Sequence, residues 1–152
     1  MNHPFDFADQ LIEEIQSKRN LRAIRWHDSG DIMSEGYWGF MTMVMNALPH
    51  VQFYAYTKMV SFIKSRSDIP ANFTYIFSFG GQEDNLIDID HDRHAKVFDS
   101  RRALRKAGYS DGTHTDRLAT NPKFKKLGLV VHGNWLAMPK MRKMVKRLNA
   151  VG

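Results

Sequence analysis

The sequence predicts an α/β fold: a mainly parallel sheet of about four strands with helices packed on it. Three observations carry this. Apolar runs of strand length alternate with segments of helical periodicity. The connections between them are short, which favours crossovers between parallel neighbours. The run at 73–79 is apolar on both faces apart from Thr74 and Ser78, as in a sheet covered on both sides.

Each element has its own justification. A first helix is predicted from residue 6 or 7 to 18, because Phe7, Leu11, Ile12 and Ile15 share one face. Asp6, Asp9, Glu13 and Glu14 suit its N-terminal half, Lys18 and Arg19 suit its end, and Asn20 can close it. A strand follows at 21–27, with Ile24 and Trp26 on one side and Ala23 and Arg25 on the other. Ser34 is a good N-cap for a second helix. Its inward face is Tyr37, Phe40 or Met41, Val44, and Ala47 or Leu48, and Pro49 stops it.

The second strand is placed at 51–57, a short helix at 58–67, a turn at 67–70 and the third strand at 73–79. Gly80-Gly81 then breaks the pattern, and an acidic, histidine-containing segment runs over 82–94. A basic helix is predicted from about 94 to 106, ended by Gly108. A turn-rich loop covers 109–122, a fourth strand 127–132 and a last helix about 139–149.

The 152 residues favour a single domain, 1–152, with a basic C-terminal part from about 99 to 152. There is no cysteine, which excludes disulfides, thiolate catalysis, cysteine-ligated zinc and iron–sulfur clusters. The N-terminus lacks a signal-peptide pattern, and the longest strongly apolar stretch, 37–48, is too short to span a bilayer. A soluble, cytoplasmic protein without a membrane partner is expected. The formal net charge of +6 is uneven: residues 1–98 hold 9 Lys/Arg against 13 Asp/Glu, and residues 99–152 hold 13 against 3. That polarity suits an anionic partner, nucleic acid first, for the C-terminal part, with Lys140, Lys143, Lys146 and Arg147 as contact residues. The competing reading is a solvated basic surface. The 9 methionines sit largely in apolar helical patterns, as core filler or as the interface of a symmetric oligomer.

In parallel sheets, ligands bind beyond the carboxyl ends of the strands. That rule selects the turns 27–34, 57–58, 78–85 and 132–135, which should share one edge. The first is the richest. His27, Asp28, Ser29 and Asp31 are the candidate catalytic residues: an imidazole for proton transfer, carboxylates for base chemistry and a hydroxyl. Asp28 and Asp31 could also hold Mg²⁺ or Mn²⁺, which prefer oxygen ligands. Gly30 lets backbone N–H groups face a phosphate, Lys58 can neutralise one, and Gly80-Gly81 permits close backbone approach. The same turn residues also suit Asx turns and helix caps. The segment 88–94 carries three Asp and two His but matches no zinc or EF-hand spacing, so a solvated loop is the better reading.

Arg25-Trp26-His27-Asp28-Ser29-Gly30-Asp31, then Ser34 and Tyr37, then Phe53-Tyr54-Ala55-Tyr56-Thr57-Lys58, resembles the bacteriophage gene product 88 family over about residues 21–80. The resemblance implies a phage-encoded protein of the host cytoplasm. It also implies a sheet like part of a (β/α) barrel of the radical-enzyme type. Longer members carry cysteine clusters, and this chain departs from them there. The resemblance points to Ser29, Gly30, Asp31 and Lys58, which the residue types had already selected. Two functions are expected as rivals. One is a small enzyme acting on a nucleotide or nucleic-acid phosphate. The other is a non-catalytic binder of nucleic acid or a host protein.

Overall fold

The computed structural model describes residues 4–18, 23–26, 31–32, 34–113 and 117–130. The end of the expected fourth strand, the turn 132–135 and the last helix lie outside the described residues. Among those described, the helices are α1 (Pro4–Gln16), α2 (Glu35–Ala47), α3 (Val60–Lys64), α4 (Arg101–Lys106) and α5 (Arg117–Thr120). The strands are β1 (Ala23–Arg25), β2 (Gln52–Thr57), β3 (Phe73–Ser78), β4 (His94–Phe98), β5 (Ser110–Asp111) and β6 (Lys126–Val130).

The strands form one sheet in the order β1-β2-β3-β4-β6-β5, and every neighbouring pair is parallel. The first four are laid down in sequence, each crossover stepping the same way. That winding curls a sheet toward a barrel, whereas a reversal of direction opens it, and here the sheet curls into a half-barrel. Side chains alternate across it. Phe53, Ala55, Phe73 and Phe77 enter the main core on the outer face with Trp38, Met41, Val44 and Met45 of α2 and Val60 and Ile63 of α3. Tyr54, Ile76, Ala95 and Leu127 enter a second cluster on the inner face with Ala119 of α5.

Local chemistry explains the boundaries. Ser34 caps α2 through its hydroxyl, which accepts from Tyr37 N–H at 3.1 Å. At the other end, Asn72 Nδ2 donates to the carbonyls of Met45, Leu48 and Val51 at 3.0, 2.9 and 2.9 Å. A distant side chain thus satisfies carbonyls that the helix end leaves open. The inward stripe of α2 is turned by about one residue from the expected one. Trp38 and Met45 are buried, Tyr37 is half-buried and Ala47 is exposed. The cause is Trp38: its ring packs edge-on against Phe62 and Phe73, and its indole N–H donates to Asp68 at 3.1 Å. Arg66 in turn grips Asp68 and Glu35 at 2.7 Å.

The segment after residue 93 departs from the sequence reading. No helix runs over 94–106. His94–Phe98 is the buried strand β4, and only Arg101–Lys106 is helical, capped by Ser100, whose hydroxyl accepts from Ala103 N–H at 3.1 Å. The basic residues suggested a solvated helix, yet His94 and Lys96 point into the outer-face packing. The expected loop at 109–122 holds β5 and α5, and the sheet therefore has six strands among the described residues, not about four. Gly108 ends α4 at φ +83° as expected. α4 packs closely on β6: a Cβ placed on Gly128 would lie 2.3 Å from Leu104 Cγ.

Candidate functional site

At the carboxyl edge of the sheet Asp31, from the first of the four selected turns, meets the second turn, and the third meets the second; the turn 132–135 lies outside the described residues. The chain leaves β1 beside β2, with Trp26 N–H donating to Tyr54 C=O at 2.8 Å. Trp26 itself is core, stacked on Phe53 with ring centres 5.5 Å apart. Residues 27–30, and so His27, Asp28, Ser29 and Gly30, lie outside the described residues.

Asp31 is where the first turn meets the second. One carboxylate oxygen accepts from Ile32 N–H at 2.7 Å and from the Thr57 hydroxyl at 2.5 Å. The other accepts from Lys58 N–H at 2.7 Å. Thr57 is 1% exposed, and its oxygen accepts in turn from Met59 N–H at 3.0 Å. Short bonds of this kind are charge-assisted and strong for their type. Asp31 is thus a clamp that ties the end of the first turn to the exit of β2. The Lys58 side chain remains exposed there.

The third turn meets the second by close approach. A Cβ on Gly81 would lie 2.9 Å from Lys58 Cβ, so the absence of a side chain at 81 admits the lysine stem. Gly80 adopts φ +106°, a conformation that other residues rarely take. The Asp84 carboxylate accepts from Gly80 N–H at 3.1 and 3.0 Å and from Gly81 N–H at 3.0 Å.

Lys96 was not among the residues that sequence reasoning selected. It is 3% exposed on β4, its Nζ lies 4.6 Å from the Phe79 ring centre, and among the described residues the ammonium makes no hydrogen bond or ion pair. Burial pushes its pKa below the usual lysine range; the Asp84 charge pulls it back up, and Lys126 pushes it further down. The signal was present in the alternation of His94, Lys96 and Phe98 against Ala95 and Val97, but the charges masked it.

His94 is fully buried two residues earlier. Its Nδ1 lies 2.9 Å from the Asp92 carbonyl oxygen, which can only accept, so Nδ1 carries the proton and Nε2 accepts from the Tyr109 hydroxyl at 2.8 Å. Burial lowers the His94 pKa and pushes that of Tyr109 up to about 12.

The acidic segment behaves as a loop. Asp88 pairs with His91 at 2.8 Å, and Asp92 with Lys64 at 2.6 Å. Among the described residues no group of three or more His, Cys, Asp or Glu could hold a metal ion. Of the expected metal pair, Asp28 lies outside them. The chain has no cysteine, so no cysteine-ligated iron–sulfur cluster is available to it. No described helix is long and apolar enough to cross a membrane. Lys140, Lys143, Lys146 and Arg147 lie outside the described residues.

Comparison with curated proteins gives no match, and comparison with solved structures gives none. A protein-family model described as Gene product 88 matches residues 3–147, well beyond the stretch 21–80 that carries the visible motifs. The chain therefore belongs to the phage Gene product 88 family.

Proposed function

We propose that the protein binds a phosphate-bearing ligand, a nucleotide or a nucleic-acid backbone, at the carboxyl edge of its half-barrel. The observation that carries this is the Asp31 clamp, which fixes the end of the first turn against Thr57 and Lys58 with Gly81 alongside. Lys58 supplies the exposed cation, and Gly30, next to Asp31 in the sequence, would offer its backbone N–H. Asp31 is a positioning residue in this reading. Chemistry on the phosphate would fall to His27, Asp28 and Ser29 in the same turn, with Mg²⁺ or Mn²⁺ as the ion suited to carboxylate oxygens.

A second reading, a non-catalytic binder of nucleic acid, draws on the basic residues of 99–152. Arg102, Arg105, Lys106, Lys123 and Lys125 are all exposed, and phosphate contacts of this kind release counterions and weaken with salt.

Titration calorimetry with a nucleoside triphosphate and with a short single-stranded oligonucleotide tests both. The first reading expects triphosphate binding that Lys58→Ala weakens about tenfold or more, with the melting temperature unchanged; a tenfold loss corresponds to ~1.4 kcal/mol. Wild-type protein that binds no triphosphate at millimolar concentration, or binding indifferent to Lys58, refutes it. Oligonucleotide binding with a steep salt dependence that is independent of Lys58 favours the second.

A further inference from the structure

The Gly80-Gly81 turn already holds an anion. Its two successive N–H groups converge on the Asp84 carboxylate at 3.0–3.1 Å. A phosphate makes the same demand on paired backbone N–H groups and carries more charge. Lys96 lies on the strand next to this turn: Phe79 N–H donates to the Ala95 carbonyl at 3.0 Å, which brings Phe79 alongside Lys96. The Lys96 side chain is largely enclosed, its ammonium lies 4.6 Å from the Phe79 ring centre, and the Asp84 charge acts on it. A largely enclosed cation with no hydrogen bond or close ion pair among the described residues costs stability, and methionine would fill the same space without that cost. Its placement makes sense where an anion arrives.

We propose that Gly80, Gly81 and Lys96 form a cradle for a terminal phosphate, and that Asp84 occupies its backbone amides until the phosphate displaces it. This rests on the reading of the carboxyl edge as a phosphate site, and adds to it a resident carboxylate that competes with the ligand. The competition sets affinity: the phosphate must win the two amides from Asp84, so the apparent affinity is lowered by the fraction of cradles that Asp84 fills.

Calorimetric titration with inorganic phosphate tests this on wild-type protein and on Asp84→Ala, Lys96→Met and the double variant, each with a thermal melt. Asp84→Ala is expected to tighten phosphate binding by about tenfold or more. Lys96→Met is expected to abolish binding while melting no lower than wild type, and the double variant to bind as poorly as Lys96→Met. Should Asp84→Ala unfold, Asp84→Asn, which keeps one acceptor oxygen, is expected to show a smaller gain in the same direction. Phosphate affinity unchanged by Asp84→Ala or Asp84→Asn, or retained in Lys96→Met, overturns the proposal. Lys58→Ala separates the two readings. Binding that responds to Asp84 and Lys96 but not to Lys58 leaves the cradle standing and removes the wider site. Binding that responds to Lys58 alone does the reverse.

Discussion

Replacing Arg93 by alanine should release α5 and the chain after it from the inner face of the sheet. Arg93 Nε donates to Phe124 C=O at 2.9 Å, Nη1 to Ala119 C=O at 2.9 Å, and Nη2 to the Leu118 and Asn121 carbonyls at 2.8 and 3.0 Å. A hydrogen bond from a charged donor contributes roughly 1.5–3 kcal/mol, so four set an upper bound of about 6–12 kcal/mol. The true loss is smaller. The four bonds share one side chain and are not additive, and carbonyls freed on a short segment regain water. Among the described residues the guanidinium has neutral carbonyls and no carboxylate as its hydrogen-bond partners, so its own desolvation is only partly offset. An expected loss of about 3–5 kcal/mol follows, a large fraction of the ~5–15 kcal/mol that holds a typical domain together. Urea denaturation followed by tryptophan fluorescence reads this, since Trp26 and Trp38 are buried reporters. Arg93→Lys keeps the charge but cannot span four acceptors, and should recover less than half of the loss. Amide exchange over 118–124 should accelerate in both variants. A loss under about 1 kcal/mol for Arg93→Ala, or unchanged exchange there, refutes the assignment of Arg93 as the staple of this segment.

Three further outcomes are expected. Gly128→Ala places a Cβ 2.3 Å from Leu104 Cγ, and Leu104 is fully buried; overpacking of this kind should cost about 1–3 kcal/mol or more in a thermal melt, and Leu104→Ala in the same chain should restore part of it. Asp31→Ala removes the acceptor for three hydrogen bonds and should cost about 1–3 kcal/mol, with faster amide exchange at Lys58. His94 is held neutral by burial, with its pKa below that of the unfolded chain. The unfolded state therefore binds the extra proton first, and stability should fall as pH drops below the unfolded value of about 6.5. His94→Gln should flatten that slope in urea melts taken across the acid range.

The outer layer of the fold was legible in the sequence because its signals are local and agree with one another. Ser34, the stripe through Met41 and Val44, Pro49 and the apolar run at 73–79 each name an element without help from the rest of the chain. The segment after residue 93 was not legible for a specific reason. His94 and Lys96 are the side chains of a buried strand, and burial of such groups is set by tertiary partners: Phe79 beneath the ammonium and Tyr109 against the imidazole. Nothing local distinguishes them from a solvated helix face. The same limit applied at the site. Strand-end turns pointed to Asp31, Lys58 and Gly80-Gly81, and the structure brings these together. The Asp31 carboxylate as a clamp on Thr57, and Lys96 beside the glycine turn, depend on register between strands far apart in sequence. The family match extends well past the motif-bearing residues because a family model weighs positions along the whole chain, not only the polar turns.

The carboxyl edge is proposed to receive phosphate. Two-dimensional amide NMR during titration with inorganic pyrophosphate tests it most directly, because the backbone N–H groups of Lys58, Gly80 and Gly81 belong to the site itself. Saturable shifts concentrated at these three residues and their neighbours Asp31, Thr57 and Asp84 are expected. Spectra unmoved at millimolar pyrophosphate, or shifts confined to the basic residues of α4 and the start of β6, contradict it.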